Sequence, residues 1–216
     1  MAKEIYQCEG SEEQSVPILY DKIARRIVNN ESAEIIRMLD LHADALGGSV
    51  DRPVLVPSNP AQRSEVDALN ERIYVKINNG AYKAGFSSDQ TAYAKAFEAY
   101  FETLAYLNDR LSDGRDFLTG AGFTDADLRL FPTLYRHDPV YYLRMKLNGA
   151  RILDFPHLWR WLCRVYAVDG VAAAGSLIHC RQGYFGRSWN GVIPLGPHMP
   201  MTYPAAYLHS DLCQTS

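Results

Sequence analysis

The chain is short of cysteine pairs, of basic residues and of long apolar runs, and each shortage removes a class of function. Its four cysteines, Cys8, Cys163, Cys180 and Cys213, lie far apart. None forms a CxxC pair or a Cys/His ligand spacing, so no metal site is expected. Nor do four scattered thiols in 216 residues make a disulfide framework, and a reducing, cytoplasmic setting is the natural reading. Lys and Arg total 22 against 25 Asp and Glu, a formal charge of −3, which is the wrong sign for a nucleic-acid surface. No apolar run approaches the roughly 18 residues of a membrane span. The start, MAKEIYQCEG, has no apolar h-region, so neither a membrane partner nor a secretory signal is expected.

What remains suits a soluble protein with a buried core: 47% hydrophobic and 22% charged residues, in one large domain or two small ones. Tyrosine is the unusual component, at 14 residues against 8 Phe. A tyrosine joins an apolar face to a hydroxyl donor with a pKa of about 10. Most of them read as half-buried core residues, because the side chain is itself amphipathic.

Residues 15–29 alternate like a hairpin, with strands at Val16–Tyr20 and Arg26–Asn29 joined through Asp21–Ala24. A helix is expected over Glu31–Leu39, capped by Asn30. Residues 46–62, with Gly47-Gly48 and then Pro53, Pro57 and Pro60, read as a linker between domains at 1–45 and 63–197. Beyond it the pattern is helical. Val66, Leu69, Ile73 and Ile77 recur at helical spacing, and Gly80 is expected to end that helix. Tyr93, Phe97, Tyr100, Leu104, Leu107 and Leu111 form a buried stripe on a longer one. Thr124 and Asp127 have the spacing of a capping box, with Phe123 and Leu128 as its staple, so Asp127 is given a structural role. Further helices are expected near Pro156 and from Gly170 to Cys180, then an irregular tail that includes 198–216. The fold class is α+β, mostly α: a small β-containing piece followed by a helical bundle.

Three segments together resemble one family: VPILYDKIARRIVNNESAEIIRML (16–39), INNGAYKAGF (77–86) and LFPTLYRHDPVYYLRMKLN (130–148), supported by VIPLGP (192–197). They are similar to the glutathionyl-hydroquinone reductases, the Xi class of glutathione transferases, over most of the chain from Val16 to Pro197. The resemblance implies a partial thioredoxin-like hairpin and helix followed by an all-helical glutathione transferase C-terminal domain. It implies glutathione as cosubstrate, an aromatic quinol-type substrate, and a homodimer. In the family a cysteine in a Cys-Pro-Trp-Ala motif attacks the sulfur of a glutathionyl-hydroquinone, and a second glutathione regenerates it. That motif does not occur in these 216 residues. The chain is therefore expected to turn over little substrate by itself, and a non-catalytic ligand-binding or subunit-interaction protein derived from the family is the alternative.

The resemblance also assigns residues. A cis Val16–Pro17 bond would offer the Val16 backbone to the cysteinyl part of glutathione. Glu31 would take the γ-glutamyl ammonium and Ser32 its carboxylate. Taken without the resemblance, Glu31 and Ser32 are an ordinary helix start. Tyr82, Tyr141 and Tyr184 would supply the aromatic site, as donors to a developing quinolate that stay un-ionised at neutral pH. Tyr82 and Tyr141 should then approach one another, although each could simply cover its own helix end. His137 and His157 have no base–nucleophile partner in the pattern and are expected to be structural.

Overall fold

The structure is a computed structural model that describes residues 2–49, 51–120, 122–187 and 190–197. The segment 198–216, expected to be irregular, lies outside the described residues. The chain divides into two compact units, Met1–Val56 and Pro57–Ser216.

The first unit holds α1 (Ala2–Cys8), the antiparallel pair β1 (Leu19–Asp21) and β2 (Arg26–Asn29), and α2 (Ser32–Leu41). The register pairs Leu19 with Asn29, Tyr20 with Ile27 and Asp21 with Arg26. The turn closes because the Asp21 carboxylate accepts from the amides of Ile23 (2.8 Å) and Ala24 (2.9 Å), and Arg25 takes a left-handed φ of 54°. The first strand is shorter than Val16–Tyr20, since Pro17 has no amide to give to a ladder. The α2 cap is also corrected. Glu31, not Asn30, is the N-cap, accepting from the Ala33 amide. Asn30 instead donates to the Tyr6 hydroxyl (3.0 Å) and to Glu13 (3.1 Å). Tyr6 is buried and also bonds Ser15, which ties the unforeseen α1 to the hairpin exit. Asp40 on α2 pairs with Arg52 and accepts from the amides of Leu55 and Val56, so this stretch of the linker is pinned to the first unit.

The second unit begins with α3 (Pro60–Ile73), earlier than expected. Asn59 caps it through the amides of Ala61 and Gln62, and Pro60 fits the first turn, where no amide is needed. The helix does not stop at Gly80. It runs on through a π-helical turn at Tyr74–Asn78 into α4 (Asn79–Gly85), with Gly80 buried inside α4. A Cβ at Gly80 would stand 3.8 Å from the Tyr100 ring, so packing against the neighbouring helix decides the matter over local preference. That neighbour is α5 (Gln90–Arg110), capped by Asp89. Its Tyr100, Leu104 and Leu107 are buried, as is Leu111 just past its end.

α6 (Asp125–Arg136) starts at the expected capping box. The buried Asp127 accepts from the Thr124 amide (3.0 Å) and hydroxyl (3.0 Å), the Leu118 amide (2.9 Å) and the Trp161 indole (2.8 Å). A second π-helical turn, His137–Tyr141, leads into α7 (Tyr142–Arg144), followed by a 3-10 turn at Ile152–Asp154 and α8 (Pro156–Tyr166). The helix expected at Gly170–Cys180 is two: α9 (Val171–Ala174) and α10 (Leu177–Phe185). Gly175 is extended, and a Cβ there would meet the Tyr135 ring at 3.2 Å. Ser176 then caps the new helix through the His179 amide. The described residues are mostly helical with one two-stranded sheet, and no single described helix is long and apolar enough to cross a membrane.

Candidate functional site

The three tyrosines named from the sequence converge. Tyr82 extends from α4, Tyr141 closes the second π turn and Tyr184 lies on α10. Their hydroxyl oxygens form a triangle: Tyr82–Tyr184 2.6 Å, Tyr141–Tyr184 3.2 Å and Tyr82–Tyr141 3.3 Å. The Tyr141 ring meets Tyr82 and Tyr184 edge-on, at centroid distances of 6.1 and 5.6 Å. Exposure is graded, since Tyr141 is buried at 1% while Tyr82 is open at 37%. A ligand oxygen would therefore meet Tyr82 first and a desolvated hydroxyl behind it. Neighbouring Tyr142 takes no part in the triangle.

Burial favours the protonated form of two of these phenols, Tyr141 and Tyr184. Desolvation, with the hydrogen bonds of its two partners, pushes Tyr141 well above the ordinary phenol range. Tyr184 is pushed up to about 12, chiefly by desolvation, while the charge of Arg136 acts the other way. Arg136 was missed in the sequence, although it stands inside the LYRHDPVY segment. With His179, Cys180, Gly183 and Tyr184 it lines a shallow pocket of about 420 Å³. A second cavity of about 350 Å³ continues from Arg136 and Cys180 toward Phe131 and Tyr135.

The turn that carries Tyr141 is held from behind. His137 is fully buried, with Nδ1 2.9 Å from the Tyr100 hydroxyl and Nε2 3.0 Å from the Ala150 carbonyl. A carbonyl only accepts, so Nε2 carries the proton and Nδ1 accepts from Tyr100. Desolvation holds the His137 pKa down to about 4. Its neighbour Asp138 accepts from the Ile152 amide at 2.7 Å, and desolvation pushes its pKa up to about 6. Both groups brace backbone rather than face the triangle. His157 starts α8, and its amide donates to Asn108.

The segment after Tyr141 is stitched to the end of α4. Lys146 donates to the Gly85 carbonyl (2.7 Å), and the Tyr93 hydroxyl donates to the Lys146 carbonyl (2.7 Å). Met145 is packed so closely on Gly85 that an added Cβ would sit 2.2 Å from its sulfur. Glycine is required there to let the two tyrosine-bearing segments close.

The other four named residues belong to the first unit. The Val16–Pro17 bond is cis, and Val16 is 74% exposed. Glu31 and Ser32 stand exposed at the start of α2, where the Glu31 carboxylate accepts from the Ala33 amide (3.3 Å) and the Ser32 hydroxyl (3.5 Å). Three cysteines are described, none in a disulfide: Cys8 exposed, Cys163 buried, Cys180 half-buried. Among the described residues no group of three or more His, Cys, Asp and Glu is arranged to hold a metal ion.

Known proteins share this architecture. Residues 90–164 match the model of the glutathione S-transferase C-terminal domain. The chain is 40% identical over 194 residues to the glutathionyl-hydroquinone reductase PcpF of Sphingobium chlorophenolicum, covering 87% of this chain and 59% of that protein. It is 42% identical over 195 residues to the glutathionyl-hydroquinone reductase YqjG of Escherichia coli, covering 88% and 58%. The glutathione-bound structure of YqjG superposes with a TM-score of 0.86 at 38% identity, over 96% of this chain and 68% of that one. The Xi glutathione S-transferase of Phanerochaete chrysosporium gives 0.84 at 36% identity, over 94% and 67%. The chain thus spans less than two thirds of the length of the curated relatives it matches. Sequence identity, the helical domain and the superposition agree: the chain belongs to the Xi class of glutathione transferases.

Proposed function

We propose that the tyrosine triangle is a hydrogen-bond donor site for the oxygen of an aromatic quinol, and that the chain carries this half of a glutathione-dependent reduction of glutathionyl-hydroquinones. The observation that carries the reading is the convergence of three phenol hydroxyls at 2.6–3.3 Å around one partly open point. When the thioether sulfur is attacked and its bond to the ring breaks, charge spreads onto the ring oxygens. Neutral phenols stabilise that charge without being ionised themselves. Tyr82, Tyr141 and Tyr184 are the acting residues. Val16, Pro17, Glu31 and Ser32 would hold glutathione, with the α2 N-terminus favouring its carboxylate. The partner is a second copy in a homodimer, and the setting a reducing cytoplasm.

The attacking thiolate is not assigned to this sequence. The Cys-Pro-Trp-Ala motif is absent from it, and Cys163 is buried among apolar side chains. The 216-residue chain should therefore bind a quinol yet turn over little glutathionyl-hydroquinone. A second reading is a ligand-binding protein that keeps the aromatic site, open at the partly exposed Tyr82, without the chemistry. Anaerobic titration with hydroquinone tests the site: Tyr82→Phe and Tyr141→Phe should each weaken binding by about 0.5–1.5 kcal/mol. Unchanged affinity in both would refute the assignment. A turnover assay with all four cysteines changed to serine tests the expectation of little turnover. Activity that survives would mean that the chemistry does not need a protein thiol.

A further inference from the structure

Two of the three tyrosine-bearing segments change helical pitch just before the triangle. Tyr74–Asn78 and His137–Tyr141 are π-helical turns, closed by the Asn79 amide on the Tyr74 carbonyl and the Tyr142 amide on the His137 carbonyl. Such turns are rare and recur at functional sites. Each inserts one residue into an α-helix, which swings everything downstream by about 100° around the axis, given 3.6 residues per turn. Tyr82 follows the first turn by four residues, and Tyr141 completes the second. Without the turns neither ring would point where it does.

One side chain joins the two segments at this level. Asn78 is the last residue of the first turn. Its Nδ2 donates to the Thr133 hydroxyl at 2.7 Å and to the Arg129 carbonyl at 3.1 Å, both on α6. Both amide protons are thereby used, on partners 51 and 55 positions away in sequence. Thr133 is buried, and Pro132 beside it gives no amide to the turn before it. From Asn78 the chain runs one helical turn to Tyr82. From Thr133 it runs two turns to Tyr141. We infer that Asn78 is a positioning residue: its double hydrogen bond to α6 sets the phase of α4 so that the Tyr82 and Tyr141 hydroxyls meet. Asn78 touches no hydroxyl of the triangle and acts only through where it places Tyr82.

The inference rests on the donor-site reading, and the test separates the two. Hydroquinone is titrated anaerobically into wild type, Asn78→Ala, Tyr82→Phe and the double variant, and proton contacts between the Tyr82 and Tyr141 rings are followed by nuclear Overhauser spectroscopy. Asn78→Ala should weaken binding about fivefold, the scale of one lost hydrogen bond. It should remove the ring contact and add nothing in the Tyr82→Phe background. An intact ring contact with wild-type affinity, or a loss that simply adds to that of Tyr82→Phe, overturns the proposal. If wild type does not bind hydroquinone, the donor-site reading fails, and the ring contact alone decides the positioning. If Asn78→Ala does not fold, Thr133→Val removes the shorter of the two bonds and is held to the same two outcomes.

Discussion

Replacing Asp138 by Asn should expose a pH dependence that the native protein conceals. His137 and Asp138 are adjacent, at 0% and 2% exposure, and their burial acts on them in opposite senses. Desolvation lowers His137 from 6.5 to about 4, against the hydrogen bond to Ala150. It raises Asp138 from 3.8 to about 6, against the amides of Ile152 and Leu153 and the charge of Arg151, and with a contribution from Asp154. At 1.36 kcal/mol per pKa unit, each change is about 3 kcal/mol of stability, a large part of a typical 5–15 kcal/mol. The folded chain holds the Asp138 proton more tightly than the unfolded chain does. Its contribution is thus complete below pH 3.8 and is lost as the pH rises through about 6. The His137 contribution is complete above pH 6.5 and is lost as the pH falls through about 4. Between those limits the two slopes nearly cancel.

Asp138→Asn removes one slope and leaves the other. The unfolding free energy of the variant minus that of wild type should therefore rise by about 3 kcal/mol between pH 4 and pH 6.5. His137→Gln should show the mirror image, a difference that falls by about as much over the same range. Urea unfolding followed by tryptophan fluorescence is a suitable assay, since Trp159 and Trp161 are buried in α8. Subtracting wild type cancels the titrations common to both proteins, provided they are not coupled to this pair. A flat difference for Asp138→Asn would refute the argument, because it would mean that Asp138 holds its proton no more tightly in the folded chain than in the unfolded one.

Gly85→Ala should cost about 1–3 kcal/mol by overpacking, because the new methyl would collide with buried Met145. Thermal unfolding measures it, and a neutral result would show that the stitch between α4 and the segment after Tyr141 yields easily. In hydrogen exchange, amides of residues 93–111 should be better protected than those of 16–29. The long helix buries Tyr100, Leu104 and Leu107, whereas the hairpin pairs only Leu19–Asp21 with Arg26–Asn29. Equal protection would contradict this.

Features set by neighbouring residues were legible in the sequence. The α5 helix, the Thr124–Asp127 box and the second strand each follow from a local pattern and stand where the pattern put them, although Tyr93 and Phe97 of the expected buried stripe are only half-buried. Features set by a partner distant in sequence were not. Gly80 looks like a stop until Tyr100 packs beside it, and the run 170–180 looks continuous until Tyr135 approaches Gly175. α1 has little amphipathic signal and is fastened through the Tyr6 hydroxyl. The π turns were invisible for the same reason. Nothing in YVKIN or HDPVY marks an i→i+5 turn, whereas the bonds from Asn78 to α6 and from His137 and Asp138 to the 150–152 backbone act across the bundle.

Naming Tyr82 and Tyr141 came from class-specific segments and Tyr184 from the looser match of GYFGRS (183–188), and the pattern of residues alone would not have chosen them among 14 tyrosines. Nor did it show that they bind each other, across 43, 59 and 102 positions of sequence. That bonding changes how the site should behave. Three hydroxyls in a closed triangle can each donate to one neighbour and accept from the other, so no donor is idle before a ligand arrives. A quinol oxygen must take a proton already shared inside the triangle, and the gain is the difference between the two bonds. Removing one hydroxyl frees a donor on another and partly compensates the loss. The effects of Tyr82→Phe and Tyr141→Phe should therefore not add: the double variant should differ from their sum by a coupling of about 0.5 kcal/mol or more, as expected for residues in one hydrogen-bond network. Strict additivity would mean that the hydroxyls act separately, and that the triangle is not the unit that receives the ligand.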